Sequence, residues 1–408
     1  SSNERYISSK HCNERYIHVN RLFRCLIGIR EAVQIKLTLQ SISQESNILG
    51  LSRDELLSLV SDFESQPKRA SMRVNQLWSW IYCHGMSSFD NMTNIDKSLR
   101  SKLQKVFNIS RPAIEKKEIS DDGTIKYLFC LEDQSKIETV FIPEEKRSTL
   151  CISSQVGCTL NCSFCHTGTQ KLVRNLSSQE IVGQVIAVYD DLGLWEKKRV
   201  NSSHSSCFEI ITNIVFMGMG EPLLNYEEVK KACNILMDNK GLDFSRRRIT
   251  LSTAGIVPKI KTAHEEIGCM IAVSLHATEN KTRDILVPIN KKWNLEQLLG
   301  SLRDDVKLRN SERVTFEYVM LDGVNDTKED AQRLVRLLQG LPSKINLIPF
   351  NNWTGSQYKR SSLDRIKAFR DIIIKSRLPS PIRKPRGEDI MAACVQLKSN
   401  SVKEKASI

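Results

Sequence analysis

Three cysteines lie close together in the segment Cys158-Thr-Leu-Asn-Cys162-Ser-Phe-Cys165. Their C-x3-C-x2-C spacing can place three thiolates on three irons of a cubane 4Fe–4S cluster and leave the fourth iron without a protein ligand. An open iron can bind a small molecule, so such a cluster can do chemistry as well as carry electrons. The segment therefore predicts a reactive iron–sulfur site.

Other interpretations of this cysteine run stay open on spacing alone. Cys162-Ser-Phe-Cys165-His166 matches the C-x-x-C-H pattern of haem attachment, although that pattern leaves Cys158 without a role. A zinc site would use the three cysteines and His166, although no second Cys/His pair lies at finger spacing. A buried group of free thiols is the remaining alternative.

The chain from about residue 148 onward alternates strand and helix patterns. Strand candidates lie at 149–153, 209–216, 248–252, 270–275, 314–321 and 344–350. Helical stretches are expected between them, near 177–192, 226–239, 256–266, 294–308, 327–339 and 361–376. Repeated βα units imply parallel strands with right-handed crossovers, and six units fit a partial barrel better than the closed eight-unit barrel.

The unusual residues of this region all follow strand candidates. The cysteine run follows the first strand candidate, and Gly218-Met-Gly220-Glu221-Pro222, Ser252-Thr-Ala-Gly255, Ser274-Leu275-His276 and Asn351 follow or end later ones. Sites in barrels of this type form at the carboxyl ends of the strands. Glycine lets the backbone approach a ligand, and Glu221 could accept hydrogen bonds from an ammonium group. The pattern predicts one site at one edge of the sheet.

Composition bounds the class of protein. The 408 residues are 40% hydrophobic and 26% charged, which is enough apolar material for a large core. No run of about 18 apolar residues occurs, so no membrane-spanning segment is expected. The net charge of +13 indicates a polyanionic partner, with nucleic acid as the first candidate. Twelve unevenly spread cysteines favour a reducing compartment over a disulfide scaffold.

The domain organisation follows from these patterns. Residues 1–47 are expected to be poorly ordered, and 48–112 to form a helical accessory unit that either docks RNA or only packs. A capping box, Ser52-Arg-Asp-Glu55, predicts the start of its first helix. A β extension at 113–147, with strands at 126–131 and 137–142, leads into the barrel at 148–380. The polar stretch 195–208 is expected to be a mobile insertion, and residues 381–408 to form a tail that carries Cys394.

These motifs together resemble a known family. The cysteine spacing, with an aromatic residue before the last cysteine, and the Gly-Glu-Pro motif are similar to the radical S-adenosylmethionine (SAM) superfamily. The finer motifs are Cys151-Ile-Ser-Ser-Gln-Val-Gly-Cys158, Arg174-Asn-Leu176, Gly218-Met-Gly-Glu-Pro-Leu-Leu-Asn225, Ser274-Leu-His-Ala277 and Arg386-Gly-Glu-Asp-Ile…Ala-Ala-Cys394. Over residues 50–398 they resemble the dual-specificity RNA adenine-C2 methyltransferases, the RlmN family. The implied architecture is an α/β fold: a partial (β/α)6 radical SAM barrel with a helical N-terminal accessory domain.

The resemblance implies cofactors and residue roles. One 4Fe–4S cluster would be held by Cys158, Cys162 and Cys165, and two SAM molecules would be used per turnover. The SAM pocket would comprise Gly220, Glu221, Ser252, Ser274, Leu275, His276 and Asn351. One SAM would methylate Cys394, and the second would give a deoxyadenosyl radical that takes hydrogen from the S-methyl group. The resulting carbon radical would add to carbon 2 of an adenine.

Product release and partners are implied in the same way. Cys151 would attack the Cys394 sulfur and leave a disulfide that must be reduced, with Glu138 as general base for the adenine proton. The implied partners are large-subunit ribosomal RNA (rRNA), transfer RNA (tRNA) as a second target, and a low-potential flavodoxin- or ferredoxin-type electron donor. A soluble monomer is expected, in the cytoplasm or in an organellar matrix or stroma.

Two features leave alternatives open. His166-Thr-Gly replaces the more frequent Ser-Thr-Ala or Ser-Thr-Gly after the third cysteine. The sister Cfr enzymes, which methylate carbon 8, share the cluster and both extra cysteines, so carbon-8 methylation remains an alternative. A non-catalytic, metal-stabilised RNA-binding protein is the alternative from another class.

Overall fold

The computed structural model describes residues 46–199, 210–309 and 312–399. In these ranges the strands are β1 Ser46–Asn47, β2 Phe107–Asn108, β3 Ala113–Ile119, β4 Ile125–Cys130, β5 Lys136–Pro143, β6 Ser148–Cys151, β7 Gln155–Val156, β8 Arg174–Asn175, β9 Asn213–Phe216, β10 Ile249–Thr253, β11 Met270–Ser274, β12 Val314–Met320 and β13 Ser343–Pro349. The segment 1–45 lies outside the described residues, so its expected disorder stays a prediction.

Helices separate most of these strands. They are α1 Arg53–Ser61, α2 Pro67–Tyr82, α3 Lys97–Gln104, α4 Ser178–Asp191, α5 Leu194–Arg199, α6 Tyr226–Met237, α7 Val257–Glu266, α8 Asn280–Leu286, α9 Leu295–Asp304, α10 Lys328–Leu337 and α11 Leu363–Lys375. The capping box predicted before α1 is present, because Ser52 and Glu55 each satisfy the other's main-chain N–H. No helix in the described ranges is long and apolar enough to cross a bilayer.

One nine-stranded sheet organises the molecule, in the order β13-β12-β11-β10-β9-β6-β5-β4-β3. Strands β6 and β9 to β13 run parallel to one another, as the βα pattern predicts. Helices cover this part, and every residue of β12 is buried. The six predicted strands and the six predicted helices that follow them are confirmed, and the partial α/β barrel with them.

The sheet continues beyond the barrel through β5, β4 and β3, which pair in antiparallel fashion. Strands β4 and β5 match the two predicted for this region. Strand β3 was not predicted, because its sequence Ala-Ile-Glu-Lys-Lys-Glu-Ile is exposed at almost every position and lacks an apolar alternation. The ladder between β5 and β6 makes the β extension continuous with the barrel sheet.

Two helices occur where the sequence did not predict them. Helix α5 occupies the start of the expected insertion at 195–208, because Trp195 is buried there and its Nε1 donates to Asp190 Oδ1 at 2.6 Å. The expectation of a loop at this point is wrong, and residues 200–209 lie outside the described part of the chain. Helix α8 was missed because its sequence is mostly polar and buries an arginine, Arg283.

The helical unit α1 to α3 shares one continuous hydrophobic core with the barrel. The guanidinium of Arg53 donates to both carboxylate oxygens of Asp238, at 2.7 and 2.9 Å, and lies 4.3 Å from the ring centroid of Trp78. The hydroxyl of Ser178 donates to the carbonyl of Gly50 at 2.9 Å. These contacts fix the accessory unit to the first barrel helix and to the end of α6.

Candidate active site

A single cavity lies at the carboxyl ends of the parallel strands. Its wall contains most of the residues that the sequence singled out: Cys158, Cys162, Cys165, Gly220, Glu221, Ser252, Ser274, His276 and Cys394. These residues come from four strand-end loops and the C-terminal tail. The fold therefore brings together positions that are up to 236 residues apart in the chain.

The cysteine loop is folded by short main-chain hydrogen bonds. Cys158 N donates to the carbonyl of Gln170 at 3.2 Å, and Cys165 N donates to the carbonyl of Cys162 at 3.1 Å. A Cβ at Gly168 would lie 2.6 Å from the carbonyl oxygen of Cys162, so the loop requires glycine there. The three thiols consequently face one cavity.

Burial governs the chemistry of these thiols. It raises the pKa of Cys158 to about 12 and that of Cys162 well above its usual value. Buried thiolates need a cationic partner, which an iron–sulfur cluster provides. In the described ranges, no three or more His, Cys, Asp or Glu side chains converge closely enough to hold one metal ion. Three soft sulfur donors along one cavity wall suit a multinuclear cluster.

His166 does not line this cavity. Its ring stacks on Trp353, with the centroids 4.6 Å apart and the planes at 10°, and its Nδ1 is hydrogen-bonded to the Gln396 carbonyl at 3.0 Å. The haem-attachment and zinc interpretations both gave a role to this histidine. Its position gives neither of them support.

The Glu221 loop presents a carboxylate held by main-chain amides. Oε2 accepts from Ala254 N at 2.8 Å, and Oε1 accepts from Leu223 N at 3.0 Å. Burial raises the pKa of Glu221 to about 7. Gly220 has φ of 98°, and a Cβ there would lie 2.5 Å from Gln155 Cβ, so only glycine fits. A bound ammonium group would favour the charged form of this carboxylate.

His276 follows β11 in a left-handed conformation, with φ of 57°. Its Nδ1 accepts from Val319 N at 3.1 Å, so the hydrogen-bond network assigns the ring proton to Nε2. Burial lowers the pKa of His276 to about 3, and the ring is neutral at pH 7. Phe164, next to Cys165, meets this ring edge-on at 4.6 Å. The histidine therefore offers one N–H donor beside the cysteine loop.

Two residues of the implied SAM pocket lie outside the cavity wall. Leu275 is fully buried, and its carbonyl accepts from Arg283 Nε at 3.0 Å. Asn351 donates from Nδ2 to the carbonyl of Cys394 at 3.2 Å and accepts from Arg360. In this arrangement Asn351 contacts the tail.

The C-terminal tail covers the cysteine loop. His166 N donates to the Val395 carbonyl at 2.8 Å, and Thr167 Oγ1 donates to the Leu397 carbonyl at 2.6 Å. Gln396 Nε2 reaches the Asn352 carbonyl at 2.7 Å. These bonds hold the residues directly after Cys394, which itself lines the cavity.

Glu138 and Cys151 lie on the neighbouring strands β5 and β6, behind the cavity wall. Glu138 Oε2 accepts from Lys398 N at 2.7 Å, and Oε1 lies 3.6 Å from Lys126 Nζ. Burial raises the pKa of Glu138. Cys151 ends β6 near Cys394, and burial raises the pKa of Cys151 to about 12.

The disulfide implied between Cys151 and Cys394 is not formed in this structure. Both thiols are free, as are the other cysteines within the described ranges: Cys83, Cys130, Cys158, Cys162, Cys165, Cys233 and Cys269. The structure thus shows the pair in its reduced form.

Arg283 is a residue of the site that the sequence did not reveal. Its fully buried guanidinium donates from Nη2 to the carbonyls of Ala254, at 2.7 Å, and Ser274, at 2.8 Å. It therefore ties together the loops after β10 and β11. A single arginine in a polar helix gives no sequence signal, because most arginines in such a context face solvent.

Comparison with known proteins agrees with this geometry. Residues 46–109 match the family model described as the ribosomal RNA large subunit methyltransferase N-terminal domain, and residues 206–338 match the radical SAM superfamily. A dual-specificity RNA methyltransferase RlmN from Paracoccus denitrificans is 57% identical over 86% of this chain and 90% of its own length. The chain belongs to the RlmN family.

Further relatives fit the same assignment. RlmN of Cereibacter sphaeroides is 56% identical over 88% of this chain and 91% of its own length. A crystal structure of a radical SAM methyltransferase from Sphaerobacter thermophilus superposes with a TM-score of 0.77 at 37% identity, covering 87% of this chain and all of that one. The two family models match in the order of the fold, with the helical unit first and the radical SAM barrel after it.

Proposed function

We propose that this protein is a radical SAM methyltransferase that methylates carbon 2 of an adenosine in large-subunit rRNA, with tRNA as a second substrate. The reaction would proceed through an S-methylcysteine on Cys394. One observation carries the proposal: a single cavity contains the three cysteines of the C-x3-C-x2-C loop, the Glu221 carboxylate and the Cys394 thiol. Membership in the RlmN family supports it.

The chemistry of the substrate explains why such a site is needed. Carbon 2 of adenine is an electron-poor amidine carbon, so ordinary methyl transfer to a nucleophile cannot work there. The 4Fe–4S cluster and SAM, when bound, would supply a methyl group and a carbon-centred radical. A methyl group tethered to the enzyme makes the addition effectively intramolecular.

The residues of the chain divide the binding work. Cys158, Cys162 and Cys165 would hold the cluster, since their thiols face one cavity. Glu221 would accept hydrogen bonds from the ammonium group of SAM, because two main-chain amides already fix its carboxylate. The Nε2–H of His276 would donate to an acceptor atom of the same ligand.

The tail would deliver the methyl group. Hydrogen bonds of Gln396 and Leu397 hold the tail directly after Cys394, which itself lines the cavity. After addition to adenine, restoring the aromatic ring requires the loss of one electron, which the cluster would accept, and of the carbon-2 proton, which Glu138 would take. Burial raises its pKa, which makes it a stronger base than an exposed carboxylate. Cys151 would then release the product.

Charge supports RNA as the substrate. The chain carries a net charge of +13, and its helical unit matches a domain named for large-subunit rRNA methyltransferases. Exposed lysines and an arginine of that unit would contact phosphates: Lys68, Arg69, Lys97, Lys102 and Lys105. A low-potential flavodoxin- or ferredoxin-type donor would supply electrons to the monomeric enzyme. The identity to RlmN proteins favours carbon 2 over carbon 8.

Anaerobic reconstitution with iron and sulfide tests this function. The wild type should bind about four irons, turn brown, and form 2-methyladenosine in large-subunit rRNA given SAM and a reductant. Cys158→Ala should lose colour and activity, whereas Cys130→Ala, which removes a cysteine on β4, should keep both. Zinc in place of iron would disprove the enzymatic function, and 8-methyladenosine as the product would disprove the carbon-2 assignment.

A further inference from the structure

Arg383 lies on the cavity wall beside Cys394 and has no part in the roles described so far. Its main-chain N–H donates to the carbonyl of Leu347 at 2.8 Å, and the preceding residue, Ile382, bridges to the same strand, β13. The start of the tail is therefore attached to the barrel at this point. The main chain of Arg383 is thus anchored separately from the hydrogen bonds that hold residues 393–399.

The side chain of Arg383 lies on the cavity wall that Cys394 also lines. Its Nη1 lies 4.0 Å from Met217 Sδ. The main chain of Met217 in turn hydrogen-bonds the Cys151 sulfur. Arg383 interacts electrostatically with both Cys394 and Cys151, most strongly with Cys394. One positive charge thus lies within electrostatic range of both sulfurs.

Two carboxylates attract the charge of Arg383 without forming an ion pair with it in the described part of the chain. Glu317, which lines the same cavity, interacts with Arg383 more strongly than Cys151 does, and Glu144 interacts more weakly. Glu317 instead accepts from Asn346 Nδ2 at 2.8 Å through Oε1. The positive charge of Arg383 therefore remains available to a negatively charged sulfur.

We propose that Arg383 is a positioning residue that stabilises the thiolate of Cys151 as it attacks the sulfur of Cys394 in the covalent RNA adduct. The inference rests on the proposed function. In this step a disulfide forms between the two sulfurs, and the bond between the Cys394 sulfur and the methylene carbon breaks. The electron pair passes to that carbon, which takes a proton from solvent and becomes the methyl group of the product. A dithiol reductant then supplies two electrons to restore both thiols.

A buried thiol needs such help. Only the thiolate is nucleophilic, and burial raises the pKa of Cys151 to about 12. That pKa already includes the lowering effect of the Arg383 charge, so losing the charge would reduce the fraction of reactive sulfur at neutral pH further. Arginine suits this role because it stays protonated even in a buried environment.

Single turnover of the reconstituted, full-length enzyme tests the proposal. Each protein is first incubated with SAM until methylation of Cys394, followed by mass spectrometry, is complete. Substrate RNA and a reductant are then added, and denaturing gels measure the protein–RNA adduct while 2-methyladenosine measures release. Cys151→Ala provides the reference for a trapped adduct. Lys384→Gln removes an exposed positive charge from the next position and is the matched control.

Arg383→Gln should load its methyl group, accumulate the adduct, and release product at least about tenfold more slowly, the effect of one pKa unit on thiolate content. Arg383→Lys should restore most of the release, and Lys384→Gln should match the wild type. Release at the wild-type rate by Arg383→Gln would overturn the proposal, as would adduct accumulation in Arg383→Lys. An Arg383→Gln variant that cannot be loaded would also overturn it, because the charge would then act before the adduct forms. Absence of S-methylcysteine in the wild type would instead refute the proposed function.

Discussion

The two walls of the cavity are held in different ways. Glu221 and His276 follow parallel strands, and their side chains accept hydrogen bonds from main-chain amides of the loop after β10 and of strand β12, respectively. Cys394 lies in a tail without helix or strand, held by bonds from His166, Thr167 and Gln396. The strand-end wall is rigid, as a cofactor site requires. The tail wall is held by a few bonds that can be broken, as suits a group that must carry a methyl between two partners.

The largest effect is expected from replacing Arg283, which ties together the loops of the strand-end wall. Arg283→Met would leave the carbonyls of Ala254, Ser274 and Leu275 without their donor, at a cost of about 3–5 kcal/mol in the free energy of unfolding. Urea unfolding of the cluster-free protein measures this. Arg336→Ala, an exposed arginine on α10, should change stability by no more than about 0.5 kcal/mol. Equal effects of the two substitutions would contradict the role of Arg283.

A second test uses the titration of Glu221. Its pKa of about 7 in the folded protein lies above its value in the unfolded chain, so the native state retains a proton as pH rises from about 5 to 7. Stability from this group is therefore lost with rising pH. Relative to Glu221→Gln, the cluster-free wild type should lose about 2–3 kcal/mol between pH 5 and pH 8. If the free energies of unfolding of the two proteins, measured with urea, changed equally with pH, the raised pKa of Glu221 would be contradicted.

A substitution in the tail wall is expected to have a smaller effect, on the rate of Cys394 methylation instead of on stability. Gln396→Ala removes the bonds to Asn352 and to Ala393 N, worth about 1–2 kcal/mol of tail docking. We expect methylation of Cys394 to slow about tenfold, as measured by mass spectrometry over time, with little change in the unfolding midpoint. Gln339→Ala, in an exposed loop after α10, is the control. A large loss of global stability in Gln396→Ala would show that the tail belongs to the rigid part of the molecule.

The smallest effect is expected from His166→Ser. The substitution removes the side-chain bond to the Gln396 carbonyl and the stacking on Trp353, but it keeps the main-chain bond from residue 166 to Val395. Methylation of Cys394 should slow less than about tenfold, in line with about 1 kcal/mol for one hydrogen bond. A colourless variant would show that His166 contributes to cluster binding after all.

The sequence predicted the residues of the strand-end wall better than those of the tail wall. Buried strands are visible as apolar runs, and the rule that barrel sites form at the carboxyl ends of strands placed Glu221 and His276 correctly. Cys394, Cys151 and Glu138 were assigned roles only through the resemblance. Cys394 lies in a tail without regular structure, which leaves no periodic pattern, and the strand patterns around Glu138 and Cys151 show burial but not chemistry. Strand β3 was not predicted because most of its residues are exposed and charged. Helix α8 was not predicted because its polar sequence buries an arginine.

The amide of Lys398 already occupies Oε2 of Glu138. This hydrogen bond favours the charged carboxylate and lowers the pKa of Glu138, against the effect of burial. In the proposed reaction, the residues that follow Cys394 would therefore act on the group that takes the adenine proton. A single hydrogen bond would thus link the position of the methyl-carrying tail to the basicity of Glu138.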